Sequence, residues 1–191
     1  LARSPQYKAD GKTPDLNSYQ ASMLEWGIAK LHELKYRLPN AGGLVIAPNI
    51  SVAEHMASIL EILTKQKPVL VHSKKTNSDD LIEAYRNSKK DWIVSVAMVS
   101  EGVDIKRLRL LVYLPNSQTE LFFRQAMGRV VRSMGDEDDS RAYVVMPAFK
   151  TFENYARRVE SEMKPVHLKE DLFPKTKKCP SCNKECKIKA T

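Results

Sequence analysis

GLVIAPNISVAEHMASILEILTKQKPVLVH, residues 43–72, decides the fold. It opens on one apolar run (GLVIAP, 43–48) and closes on another (VLVH, 69–72), with helical periodicity over roughly 52–65 between them. Neither run alternates with polar residues, which marks strands buried on both faces. The same unit recurs downstream. WIVSVA (92–97), LLVYL (110–114) and AYVVMP (142–147) are further apolar runs, and helical segments fall at about 78–88, 118–132 and 150–163. Alternating strand and helix predicts an α/β fold, a mostly parallel sheet of about five to six strands covered by helices on both faces.

Upstream, Met23, Leu24, Ile28, Leu31, Leu34 and Leu38 recur at three and four, predicting an amphipathic helix over about 18–38. Pro39-Asn40 and Gly42-Gly43 stop it, and the polar residues 1–16 read as a loop or linker. The acidic run Gly135–Asp139 is expected to be a surface loop before the fifth strand.

With 191 residues, 42% of them hydrophobic, the chain can build one compact core and is too apolar to be disordered. No apolar run approaches the ~18 residues of a membrane span, and no secretory signal opens the chain, so a soluble protein without a membrane partner is expected. A start on Leu1 suggests a processed product or a piece of something longer. Three cysteines, all near the C-terminal end, make no even disulfide set and fit a reducing, cytoplasmic setting. The net charge of +8 is uneven: residues 43–160 carry 17 basic and 15 acidic groups, whereas residues 161–191 carry 8 and 4. A basic tail on a balanced body fits either local contact with a polyanion or a solvated end.

Several nucleotide signatures are missing. The chain has no G-x-x-x-x-G-K-[ST] phosphate loop, no G-x-G-x-x-G after a strand, and no Asp-Glu pair closing a strand to hold Mg²⁺. Any nucleotide chemistry here is half of a site.

Two motifs supply that half. In Gln125-Ala-Met-Gly128-Arg129-Val-Val-Arg132 the spacing of four and three places Gln125, Arg129 and Arg132 on one helical face. Ser117 and Glu120 have the spacing of a capping box for that helix, with Leu121 and Phe122 expected to turn toward the sheet. Paired guanidiniums suit the charge of a transferring phosphoryl group, although spacing alone also fits an exposed basic face. After the third strand comes Val96-Ala-Met98-Val-Ser100-Glu101-Gly102-Val103-Asp104-Ile105, where Gly102 allows close backbone approach and Asp104 accepts from ribose hydroxyls or from Arg. A tight turn with a solvated Asp is the plain alternative.

In this order, V-x-M-x-x-E-G-x-D-I and then Q-x-x-G-R-x-x-R resemble motifs V and VI of superfamily 2 helicases and translocases, and the GLVIAPN strand is similar to motif IV. The resemblance covers about residues 43–160 and implies a RecA-like second motor domain, of the P-loop NTPase type without its own phosphate loop. The motif V form is more similar to the motors of restriction enzymes and of DNA-repair or phage DNA helicases than to DEAD-box RNA helicases. Lys106 stands where those motors often have Pro.

The resemblance implies roles. Arg132 would be the arginine finger, Arg129 a second γ-phosphate contact, and Gln125 a group that positions the attacking water or links ATP to the nucleic-acid site. Gly102 and Asp104 would meet the ribose. Pro48, Asn49, His72, Ser73 and Ser100 would hold nucleic-acid phosphates, a role that hydroxyls, amides and backbone N–H groups perform without reading sequence. His72 alone also reads as a packed strand-end histidine. ATP and Mg²⁺ would be bound mainly by an N-terminal RecA-like domain of the same polypeptide, and DNA is the expected nucleic-acid partner. The domain plan is a linker and helix (1–42), the motor domain (43–163) and a basic tail (164–191). A bacterial or phage protein of this kind would be nucleoid-associated. The fragment alone is expected to be inactive, and a non-catalytic RecA-like docking module is the competing reading.

Cys179-Pro-Ser-Cys182 and Cys186 have zinc-knuckle spacing, because two thiolates two residues apart can share one tetrahedral ion. A closed Zn²⁺ site needs a fourth ligand that these cysteines do not supply, and free thiols in a tail remain the other reading.

Overall fold

The computed structural model describes residues 4–74, 77–96, 105–114, 119–131 and 141–162, together with the backbone of 176–178 and 185–187. The elements run α1 (Tyr19–Lys35), β1 (Gly42–Ala47), α2 (Ile50–Thr64), β2 (Val69–Val71), α3 (Ser78–Arg86), β3 (Trp92–Val96), β4 (Leu108–Tyr113), α4 (Glu120–Met127), β5 (Tyr143–Val145) and α5 (Lys150–Glu162). β6 (Thr176–Lys178) and β7 (Glu185–Lys187) form a separate antiparallel pair, with Lys177 opposite Cys186. The five apolar runs make one sheet, ordered β2-β3-β1-β4-β5, and every pair in it is parallel.

The unbroken apolar runs have the expected cause. Val45 and Ala47 of β1, Trp92 and Val94 of β3 and Leu110 and Val112 of β4 pack under α1 and α2. Leu44, Ile93, Leu111 and Tyr113 point to the opposite layer, where α3, α4 and α5 contribute Tyr85, Phe123 and Phe152. Alternate residues of each strand therefore feed two apolar layers, and neither face can be polar.

One contact sets how closely the layers approach. A Cβ on Gly43 would lie 2.4 Å from the Trp92 ring, and one on Gly27 of α1 would lie 3.2 Å from the same ring and 2.9 Å from Val112. The indole thus occupies space that two glycines leave free, one on the central strand and one on the covering helix. Helix starts are set locally. Ser18 caps α1 by accepting from the Ala21 N–H at 3.1 Å, and Asn49 caps α2 by accepting from the Val52 N–H at 2.9 Å.

The segment before α1 is ordered by a Tyr7–Pro14 bridge and docks on α2. The Gln6 N–H donates to His55 Nε2 at 3.3 Å, and the Tyr7 ring meets the imidazole edge-on at 4.8 Å. His55 is buried, so desolvation lowers its pKa below 6.5. Sequence reading treats residues 1–16 as a loop or linker, and His55 is the buried polar anchor that periodicity does not reveal.

Two outcomes are expected. Gly43→Ala forces the indole aside and costs about 2 kcal/mol, lowering Tm by roughly 4–8 °C in a thermal melt. As pH falls below the ordinary histidine value, the unfolded chain takes up a proton that folded His55 resists, so stability declines with acid. His55→Gln, which keeps an acceptor for Gln6, flattens that limb of a Tm series taken from about pH 7.5 to about 5.5.

Candidate functional site

Because the five strands are parallel, their C-terminal ends share one edge, and in such sheets that edge carries the ligand loops. β1 ends at Ala47 in the centre of the sheet, and Pro48 and Asn49 follow it directly into α2. Pro48 is buried. Asn49 uses its side-chain oxygen to cap α2, which fixes the amide beside the first turn of a fifteen-residue helix. The N-terminus of such a helix presents unpaired N–H groups and partial positive charge.

His72 and Ser73 follow β2, one strand beyond β3, so they share the edge with Asn49 but lie roughly 10 Å from it across the intervening strand. Ser73 is exposed. His72 is buried, its carbonyl accepts from Ser78 Oγ at 3.2 Å, and its Nδ1 has no hydrogen-bond partner among the described residues. Ser100, Gly102 and Asp104 lie outside the described residues, as do Ser117, Arg132 and the acidic run.

α4 differs from the sequence expectation in three ways. It begins at Glu120 after an extended Thr119 that makes no side-chain cap bond. The Glu120 carboxylate accepts from Arg124 at 2.9 Å and from Arg158 at 2.7 Å, and the Ser117 half of the capping box lies outside the described residues. Regular helix ends at Met127, and the chain continues through turns in which the Arg129 N–H bonds Ala126 O and the Val131 N–H bonds Met127 O. The helical winding therefore reaches Arg129 beyond the helix proper. Finally, Leu121 and Phe122 do not face the sheet; they are 64% and 43% exposed, and Phe123, Ala126 and Val130 are buried instead. Gln125 is exposed and Arg129 half-buried.

What holds this short helix in place was not legible beforehand. Arg124 donates to Glu162 of α5 through two nitrogens, at 2.6 and 2.8 Å, and to Glu120 through two more bonds. Its guanidinium holds the Glu162 carboxyl below the usual carboxylate range. Beneath this network, Phe123 stacks on Phe152 at 6.2 Å, and both meet Tyr113 of β4 edge-on. The Glu120–Arg124 spacing is visible in the sequence, but the partners thirty-eight residues away are not.

Among the described residues no group of three His, Cys, Asp or Glu side chains could hold a metal. Cys179 and Cys182 lie outside them, and Cys186 is on β7. No helix among the described residues is long and apolar enough to cross a membrane.

The chain matches the family Helicase conserved C-terminal domain over residues 28–134, more than half its length. An uncharacterised protein of Mycobacterium leprae is 34% identical over 137 residues, which cover 72% of this chain and 23% of the relative. A putative helicase of Sulfolobus islandicus filamentous virus is 32% identical over 94 residues, covering 47% of this chain and 16% of the relative. The chain thus spans less than a quarter of the length of either. Among solved structures, domain 2 of the DEAD-box helicase Mss116p bound to an RNA duplex superposes with a TM-score of 0.53 at 16% identity, covering 78% of this chain and 61% of that one. The same protein bound to ssRNA and AMP-PNP gives 0.53 at 16%, covering 75% and 28%. At that identity the likeness is one of fold. With its all-parallel sheet covered by helices on both faces, the chain belongs to the helicase conserved C-terminal domain family and has the RecA-like fold of superfamily 2 second motor domains.

Proposed function

We propose that the chain is the second motor lobe of an ATP-dependent helicase or translocase acting on DNA, completing an ATP site held mainly by another lobe. The observation that carries this reading is the Q-x-x-G-R-x-x-R motif, of which Gln125 to Val131 lie among the described residues. Gln125 is exposed on a helix tied to α5, and Arg129 is half-buried in the turns just after it, within a chain whose sequence shows no phosphate loop. Clamping matters because arginines that meet developing phosphoryl charge act only when positioned in advance.

In this reading Arg132 is the arginine finger, Arg129 touches the γ-phosphate and Gln125 orients the attacking water. Gly102 and Asp104 meet the ribose. Asn49 and the α2 N-terminus, with Pro48, His72, Ser73 and Ser100, hold the phosphates of one strand through groups indifferent to base sequence. Mg²⁺ would neutralise the β- and γ-phosphates from the other lobe. Cleft closure on ATP draws the arginines in, hydrolysis releases them, and the phosphate-holding loops advance. The motif V form supports DNA over RNA, and the basic tail gives the strand a guide. A Zn²⁺ ion on Cys179, Cys182 and Cys186 would need a fourth ligand from elsewhere.

Residues 1–191 alone should show no nucleic-acid-stimulated ATPase activity; measurable turnover would sink the half-site reading. Joined to a lobe that carries a phosphate loop, Arg132→Ala should lower kcat by about 10³-fold or more while ATP binding survives. DNA should stimulate that turnover more than RNA of matched length. Ending the chain after Glu162 should weaken DNA binding and flatten its dependence on salt, by about 0.7–0.9 in the log–log slope for each phosphate that is no longer neutralised.

A further inference from the structure

The opposite edge of the sheet, where the strands begin, gathers charge that sequence counting averages away. Lys65 and Lys67 precede β2, and Lys89 and Lys90 precede β3. All four are exposed, and none pairs with a carboxylate among the described residues. The two loops are joined, since the Asp91 N–H donates to Gln66 Oε1 at 3.0 Å. Asp91 is itself paired with Lys35 at the end of α1, so the local carboxylate is already neutralised.

Beside these lysines lies a groove of about 430 Å³, whose lining includes His32 and Lys35 of α1, Tyr36 just after it, Thr64 of α2, Asp91, and Trp92 of β3. Tyr36 is 77% exposed and meets the His32 ring edge-on at 5.4 Å. A phenol held open to solvent beside a cleft is a stacking platform with one face unused.

Helix ends argue partly the other way. α1, α2 and α3 all finish here, and their C-termini bring about half a negative charge each. That totals roughly one and a half charges against four lysines, so the rim stays cationic. Lysines that only offset helix ends would not require an aromatic cleft between them.

We propose that this edge is a second nucleic-acid site, in which a base of a single strand enters the groove against Tyr36 while Lys65, Lys67, Lys89 and Lys90 hold the flanking phosphates. It lies across the sheet from the Asn49 edge and stands independently of the motor reading. Lysine on backbone and aromatic on base is the arrangement that binds single strands without sequence preference.

The test uses the full chain and fluorescein-labelled dT and rU 12-mers, with Kd read by anisotropy across a NaCl series. The quadruple variant Lys65→Gln, Lys67→Gln, Lys89→Gln, Lys90→Gln should weaken binding at least tenfold and flatten the log–log salt slope by about two to three. Tyr36→Ala, at an exposed position that folding does not need, should weaken binding about tenfold with the slope unchanged. An oligonucleotide carrying 5-iodouracil should crosslink to Tyr36 or His32, and Arg129→Ala should leave that crosslink in place. An unchanged Kd and slope in the quadruple variant would overturn the site. So would a crosslink found only at the far edge. Equal competition by polyglutamate together with a silent Tyr36→Ala would reduce the rim to a general polyanion patch and also refute the proposal.

Discussion

The indole of Trp92 sits where two side chains are missing, and the rest of the domain is arranged around that substitution of one large group for two small ones. Gly43 lets the ring lie against the central strand, and Gly27 lets α1 descend onto it. Together they fix the height of α1 above the sheet and the level at which β1 and β3 begin. Parallel register then carries that level to the far edge, so where Ala47 ends and Asn49 begins follows from a contact at the other end of the strand. Interiors pack at crystal-like density, and such a contact cannot loosen locally without moving its neighbours.

Most of the scaffold was legible because burial on two faces leaves a strong mark. Each apolar run became a strand of the parallel sheet, and the α1, α2, α3 and α5 segments fell within a few residues of their observed bounds. α4 was harder, for a physical reason. It is eight residues long, and a one-residue error rotates a helix by about 100°. That rotation exchanged Leu121 and Phe122 for Phe123 on the buried side. Apolar type alone could not choose, because three adjacent residues were all apolar.

Of the candidate site, sequence supplied the residue types and their order, whereas the supports came from elsewhere in the chain. Arg124 reads as a neighbour of the motif and proves to be the hub of a charge network reaching α5. His55 reads as one more residue of an amphipathic helix and proves to anchor the segment before α1. The near-neutral charge of residues 43–160 hid a division in space, because counting along the chain mixes loops that a parallel sheet sends to opposite edges.

The Arg124–Glu162 link also has a mechanical meaning. Glu162 is the final residue of α5, so the pair ties the last turn of α5 to the helix bearing Gln125. The two helices thus share one surface cross-brace above the aromatic layer of Phe123 and Phe152, and displacing either helix as a body would have to break it.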